Sequence, residues 1–253
     1  WHSDYESYVN AKAMITARQT EDDLFIFHAL FDELVLISKH TQAFRMPVKV
    51  MDGLHWDKEW YYDGGKEVMK TSVITLPGSH NKDNVLAVLA VAKALKIDYT
   101  HVETMLKHFQ PLPHRLETVA TVDGVTYIDD AISTTPESTI AAVKSFNNVG
   151  SIILGGLDRG YDYDELAQLL TNRNVPVIAL FPGARDKIKR AFVRSSYAGQ
   201  MVEVADMIEA VEAVSKHTPK DHIALLSTAA PSYDQYKNFK DQGEQFQTAV
   251  QNL

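Results

Sequence analysis

The chain has 253 residues, 45% of them hydrophobic and 23% charged, a balance that suits two modest globular domains or one large one. A formal net charge of -8 argues against a nucleic-acid binder, and the absence of cysteine excludes disulfides, thiolate metal sites and cysteine nucleophiles. No apolar run approaches the roughly 20 residues of a membrane span, and the segment from Trp1 to Glu6 lacks the basic end and apolar centre of a signal peptide, so a cytoplasmic protein with no membrane partner is expected.

Trp1, with neither Met nor leader, is expected to lie inside a longer polypeptide. Residues 5–18 read as a helix through the apolar series Tyr8, Ala11, Met14 and Ile15, followed by a short buried strand at 23–27. Residues 30–75 are less regular, except for a hairpin in which Asp63-Gly64-Gly65 joins Trp60-Tyr61-Tyr62 to Val68. The Ala-rich run at 85–95 is apolar nearly all round and predicts a helix packed on both sides, with another helix at about 100–109. Gln110-Pro111-Leu112-Pro113 then removes backbone donors and breaks the pattern, which places a domain boundary there. Beyond it, the β-rich runs at 126–128, 151–154, 177–180 and 223–226 alternate with helical stretches near 136–146, 163–171, 184–194, 206–217 and 235–250. Such alternation predicts an α/β fold with a mostly parallel sheet. Ligands of such sheets bind beyond the carboxyl ends of the strands, so the loops that begin at Asp129, Gly155, Pro182 and Ser227 are the ones of interest.

Five constellations could carry chemistry. Pro77-Gly78-Ser79-His80-Asn81-Lys82-Asp83-Asn84 precedes the Ala-rich helix; it is either a plain helix cap or a pair of amides, Asn81 and Asn84, sharing one face toward a nucleobase edge. In Leu112-Pro113-His114-Arg115-Leu116-Glu117, Arg115 either pairs with Glu117 or reaches toward transferring phosphate, whose oxygens its guanidinium fork matches. Asp129-Asp130 stand at a strand end with no local partner, where a carboxylate would grip a ribose or a metal-bound water, while Thr134 or Thr135, Pro136 and Glu137 start the next helix. Gly155-Gly156-Leu157-Asp158-Arg159-Gly160 turns sharply after a strand and leaves Arg159 as a carboxylate clamp or a solvated loop residue. Finally, the run from Ser227 to Phe239 is rich in small residues, and Ser232 with the following N–H groups forms an anion-accepting helix start or simply caps a helix.

Taken in order, Leu-Pro-Gly-Ser-His-Asn-x-x-Asn, Leu-Pro-His-Arg-Leu-Glu, Asp-Asp-x-x-x-Thr-Thr, Gly-Gly-Leu-Asp-Arg-Gly and Ser-Tyr-Asp-Gln-Tyr-Lys-Asn-Phe resemble the Mur ligases over nearly the whole chain. The last run is similar to the D-glutamate-adding branch. The resemblance implies that residues 1–112 are the C-terminal part of a central, ATP-binding domain and residues 113–253 a Rossmann-like, amino-acid-binding C-terminal domain. It implies an ATP-dependent ligase that joins glutamate to UDP-N-acetylmuramoyl-L-alanine through an acyl phosphate, monomeric, with ATP and Mg2+ as cofactors. Tyr8-Val9-Asn10-Ala11-Lys12 resembles the segment bearing the family's carbamylated lysine, which makes Lys12 a metal ligand and, with Arg115, a catalytic residue. Asn81, Asn84, Arg115 and Asp130 correspond to nucleotide-side residues, and Thr134, Arg159, Ser232, Tyr233 and Phe239 to the amino-acid side. Since these lie on two domains, closure is expected to assemble the site.

Two departures shape the expectation. Ile132 stands where many members of the branch carry Lys, a pattern resembling relatives that add L-glutamate, and this opens the choice of enantiomer. No Gly-x-x-x-x-Gly-Lys-Ser/Thr phosphate loop occurs, so these residues alone are expected not to ligate. A folylpolyglutamate synthase-like ligase and a non-catalytic Mur-like binding subunit are the rival readings.

Overall fold

The structure, a computed structural model, describes residues 4–253; residues 1–3, Trp1 among them, lie outside it. The chain divides into two compact units between Phe109 and Gln110. Among the described residues, no helix is long and apolar enough to cross a membrane.

The first unit begins with α1 (Tyr5–Ala13), capped by Asp4, whose side chain accepts from Ser7 N–H, and extended by a 3-10 turn at Met14–Thr16. There follow β1 (Leu24–His28), α2 (Asp32–Ser38), β2 (Phe44–Val48), β3 (Leu54–Trp56), β4 (Trp60–Asp63), β5 (Lys66–Lys70), α3 (Ser79–Ala94) and α4 (Tyr99–Lys107). The strands form one sheet in the order β1-β2-β3-β4-β5, parallel as far as β3 and antiparallel after it. Gly64 and Gly65, at φ 57° and 78°, turn the β4-β5 hairpin through the left-handed region that a tight two-residue loop needs. Val85, Leu86, Leu89 and Ala90 of α3 pack with Val48, Leu54, Tyr61 and Met69 of the sheet.

Tyr8, Ala11, Met14 and Ile15 of the first helical segment are exposed, because α1 turns its other stripe, Val9 and Ala13, toward the small cluster of Phe25, Ile37 and Ala43. One expectation fails in this unit, for α3 is not packed on both sides: Val88 and Val91 are exposed, since the sheet covers a single face.

The second unit comprises β6 (Glu117–Val122), β7 (Val125–Asp129), α5 (Pro136–Lys144), β8 (Val149–Gly156), α6 (Asp164–Asn172), β9 (Val177–Gly183), α7 (Arg185–Arg194), β10 (Gln200–Glu203), α8 (Met207–His217), β11 (Ile223–Leu226) and α9 (Phe239–Gln251). Its sheet runs β10-β9-β8-β11-β7-β6, and only β6 is antiparallel to its neighbour. Successive strand residues point to opposite faces. Accordingly Ile152, Leu154, Ile178, Leu180 and Leu225 pack under α5, α6 and α7, whereas Ile153, Ala179, Phe181, Ala224 and Leu226 pack under α8 and α9. β8 and β11 are buried from end to end, the burial expected of central parallel strands. α9 starts at Phe239 rather than near 235, because the Asn238 side chain accepts from the N–H groups of Lys240 and Asp241 and fixes the helix start.

Candidate functional site

The carboxyl ends of β7, β8, β9 and β11 lie together at one edge of the second unit's sheet, and β11 returns between β7 and β8. Asp129 and Asp130 sit at the end of β7, but not without partners. Both are buried, and their acceptor atoms are taken up by groups remote in sequence. Asp129 accepts from His114 Nδ1 at 2.7 Å, from the N–H of Ala131 at 3.0 Å and from Gln247 Nε2 at 3.0 Å. Asp130 accepts from the Ser227 hydroxyl at 2.8 Å and from the N–H of Leu116 at 3.3 Å. Burial pushes the Asp130 carboxyl up to about 6; bonds from Ser133, Ser227 and the Leu116 N–H oppose the rise, and neighbouring Asp129 adds to it.

The same aspartates organise the hinge. His114 and Leu116 are buried on either side of exposed Arg115, and both occupy the left-handed region at φ 61° and 50°. Glu117 does not pair with Arg115: its Oε2 accepts from the N–H of His114 at 2.8 Å and from Gln247 at 3.2 Å. Among the described residues, no hydrogen bond or ion pair engages the Arg115 guanidinium, which leaves the cation available to an anion. The nearby donor set of His114, Glu117 and Asp129, with ligand atoms within 4.8 Å of one another, is already joined by its own hydrogen bonds.

Beyond the strand ends, Thr134, Ser232, Tyr233 and Phe239 line a cavity of about 250 Å³, together with Ile132 and Pro231. Its wall offers hydroxyls and an aliphatic face, and no cation. Arg159 is exposed past the end of β8 and is not part of this wall. The floor of this edge is backbone. Gly155 N–H donates to Thr228 O at 2.9 Å, Leu157 N–H to Pro231 O at 2.8 Å and Ala184 N–H to Gly156 O at 2.7 Å. A Cβ on Gly156 would stand 2.5 Å from Pro231 O, and one on Gly183 would stand 2.1 Å from Gly156 O.

In the first unit, Asn81 is buried at the start of α3 and spends its amide locally. Its Nδ2 donates to Pro77 O at 2.7 Å, and its Oδ1 accepts from Asn84 Nδ2 at 3.4 Å. Asn84 instead borders a cavity of about 370 Å³ with Phe27, His28, Phe31 and Leu34. His28 and Phe31 stand 4.8 Å apart, centre to centre, and give this cavity an aromatic wall. Its size and its one exposed amide suit a flat heterocycle. Lys12 lies on the exposed face of α1, with Nζ 5.4 Å from the centre of the Tyr8 ring.

Sequence reasoning missed Gln247, which braces Asp129, and Phe31, in the aromatic wall of the first unit's cavity. Neither carries a local signal: Gln247 is a polar residue in an amphipathic helix, and Phe31 precedes a helix that the sequence pattern did not reveal.

Comparison with known proteins adds to the geometry. Residues 114–229 match the family described as Mur ligase, glutamate ligase domain. The chain is 33% identical over 257 residues to the UDP-N-acetylmuramoylalanine--D-glutamate ligase of Pediococcus pentosaceus, an alignment covering 100% of this chain and 56% of that ligase. Its counterpart in Christiangramia forsetii is 34% identical, over 98% of this chain and 57% of that ligase. The chain thus spans little more than half the length of these relatives. Among solved structures, the UDP-N-acetylmuramate-alanine ligase MurC of Thermotoga maritima matches with a TM-score of 0.70 at 18% identity, over 99% of this chain and 56% of that one. The MurF ligase of Thermotoga maritima in complex with ADP matches with a TM-score of 0.66 at 14% identity, over 98% of this chain and 58% of that one. At such identities the two structures speak for the fold alone.

Proposed function

The chain belongs to the Mur ligase family, and from that premise we propose that it forms the nucleotide-side remainder and the amino-acid domain of a cytoplasmic, ATP-dependent ligase of peptidoglycan precursor synthesis. The proposed reaction joins D-glutamate to UDP-N-acetylmuramoyl-L-alanine. The γ-phosphoryl group of ATP passes to the substrate carboxylate, giving ADP and an acyl phosphate. The glutamate amine then attacks the acyl carbon, phosphate leaves, and the nitrogen loses a proton as the amide forms. The observation that carries this reading is the cavity bounded by Thr134 and Ser232 at the strand ends of a glutamate-ligase domain.

Each residue has a physical task. Asn84, with its aromatic neighbours, receives the adenine, and Asn81 holds Asn84 in place. Arg115 faces the transferring phosphoryl group, where a permanent, unpaired cation offsets charge spreading over equatorial oxygens. Asp130 serves the nucleotide side and fixes the backbone at Leu116. Thr134, Ser232 and the Tyr233 and Phe239 backbone receive a carboxylate of the amino acid, and Arg159 meets the other. Magnesium, held in part by a carbamylated Lys12, would offset phosphate charge when bound. The enzyme is taken as a monomer.

Ile132 favours a second reading, in which the enantiomer is L-glutamate, because the wall of the cavity lacks the cation usual in the D-glutamate branch. Ligation by the full-length protein with each enantiomer decides between them. A rate with D-glutamate at least tenfold above that with L-glutamate is expected, and the reverse preference overturns the assignment. Residues 1–253 expressed alone are expected to give no ATP-dependent ligation, for want of a phosphate loop within them.

A further inference from the structure

Helix α9 carries two residues that the proposed chemistry does not use and that lie against the hinge. Gly243 is buried in the helix interior, where glycine is less favourable than alanine. Its φ does not require glycine; its surroundings do. A Cβ at this position would stand 2.2 Å from His114 Nδ1 and 2.7 Å from Asp129 Oδ2, where no methyl group fits. One turn on, Gln247 Nε2 donates to Asp129 Oδ2 at 3.0 Å and to Glu117 Oε2 at 3.2 Å. Both residues of α9 therefore act on the groups that hold His114: Asp129 grips its ring and Glu117 its backbone N–H.

The consequence falls on Arg115. Its neighbours on both sides sit at positive φ, a conformation uncommon outside glycine that persists only where the surroundings enforce it. His114 is fixed through its ring, its N–H and its carbonyl, which accepts from Ile132 N–H at 3.2 Å. Leu116 is fixed through Asp130. We infer that α9 is the positioning element for Arg115, Gly243 providing the seat for the His114 ring and Gln247 bracing the carboxylates that hold it. His114, Asp129, Gly243 and Gln247 are positioning residues, and of this group with Arg115 it is the arginine that meets the substrate. This inference rests on the proposed role of Arg115 toward the transferring phosphoryl group.

The test is a double-mutant cycle in the full-length ligase, read as kcat and as KM for glutamate. Gly243→Ala displaces the ring and is expected to lower kcat by about 100-fold, the cost of a misplacement of about 1 Å at a reacting group, with KM for glutamate changed less than about twofold. In an Arg115→Ala background the same change is expected to alter kcat by less than about twofold, because its effect passes through the arginine. Gln247→Leu, which keeps volume and removes the donor, covers the case in which Gly243→Ala does not fold; a loss of about tenfold with the same non-additivity is expected. If either substitution multiplies with Arg115→Ala, or leaves kcat at the wild-type value, the inference is overturned while the role of Arg115 stands. If Arg115→Ala itself leaves kcat unchanged, the role of Arg115 falls, and the inference falls with it. The NMR signal of the His114 Nδ1 proton reports on the seat without reference to activity: it is expected in the wild type and lost in Gly243→Ala.

Discussion

The two units hold their candidate residues in opposite ways. In the second, His114, Asp129 and Asp130 are buried and tied to groups far along the chain, and a two-faced core stands behind them. In the first, Lys12 and Asn84 are exposed, and so are large apolar residues such as Met14, Ile15, Phe31 and Phe44. The lesson concerns what an aspartate or a lysine in a motif signifies. Around Asp129 and Asp130 the polar residues bond to one another, and among the described residues no hydrogen bond or ion pair engages the Arg115 guanidinium. On α1, which has no buried residue, Lys12 is exposed, whereas Asn84, on the core-packed α3, keeps one bond, to Asn81.

The largest effect expected from this contrast is on stability. Phe246 is fully buried on α9, and Phe246→Ala is expected to cost about 3–5 kcal/mol, whereas Phe44→Ala, at a residue 66% exposed, is expected to stay within about 0.5 kcal/mol. Urea unfolding checks both, and equal losses would erase the distinction between the units. Next comes Asp130. Its pKa is raised from 3.8 to about 6 in the folded chain, so its contribution favours folding fully below pH 3.8 and is lost as pH rises through about 6. The loss amounts to about 3 kcal/mol. Asp130→Asn is expected to flatten the fall in stability between pH 4 and 7 by that amount; an unchanged slope in urea titrations would show that the carboxyl is not held as described. The smallest effect belongs to Lys12. Lys12→Ala is expected to leave the urea midpoint of the chain unchanged, since the side chain is exposed, its Nζ 5.4 Å from the centre of the Tyr8 ring. A destabilised variant would make Lys12 a structural residue like those of the second unit.

The same contrast explains what could be read from the sequence. β7, β8, β9 and β11 were visible as short apolar runs because strands buried on both faces exclude polar residues. β6 was not: an edge strand, it mixes exposed and half-buried positions, and Glu117 at its start reads as loop. α2 and β2 escaped for a related reason, having few buried residues to set a period. Thr134, Ser232, Tyr233 and Phe239 were named from their motifs, and the structure sets them around one cavity with Ile132. The partners of Asp129 and Asp130 lie beyond the reach of a local reading, since His114, Ser227 and Gln247 are 15, 97 and 118 residues away. Gly243 was invisible altogether, because what it avoids is a contact that only the folded chain creates.

The glycine floor beneath the strand ends has a consequence for how this domain can change over generations. Its geometry is written in peptide groups, from Gly155 N–H to Thr228 O and from Ala184 N–H to Gly156 O, while the side chains above it, Ile132 and Thr134 among them, bear none of that framework. Substitutions in the cavity wall can therefore accumulate without loosening the sheet, and the shape and polarity of the cavity can change while the scaffold stays as it is. A substitution at Gly156 or Gly183 has no such freedom, so those two positions are where tolerance should end abruptly in a saturation library.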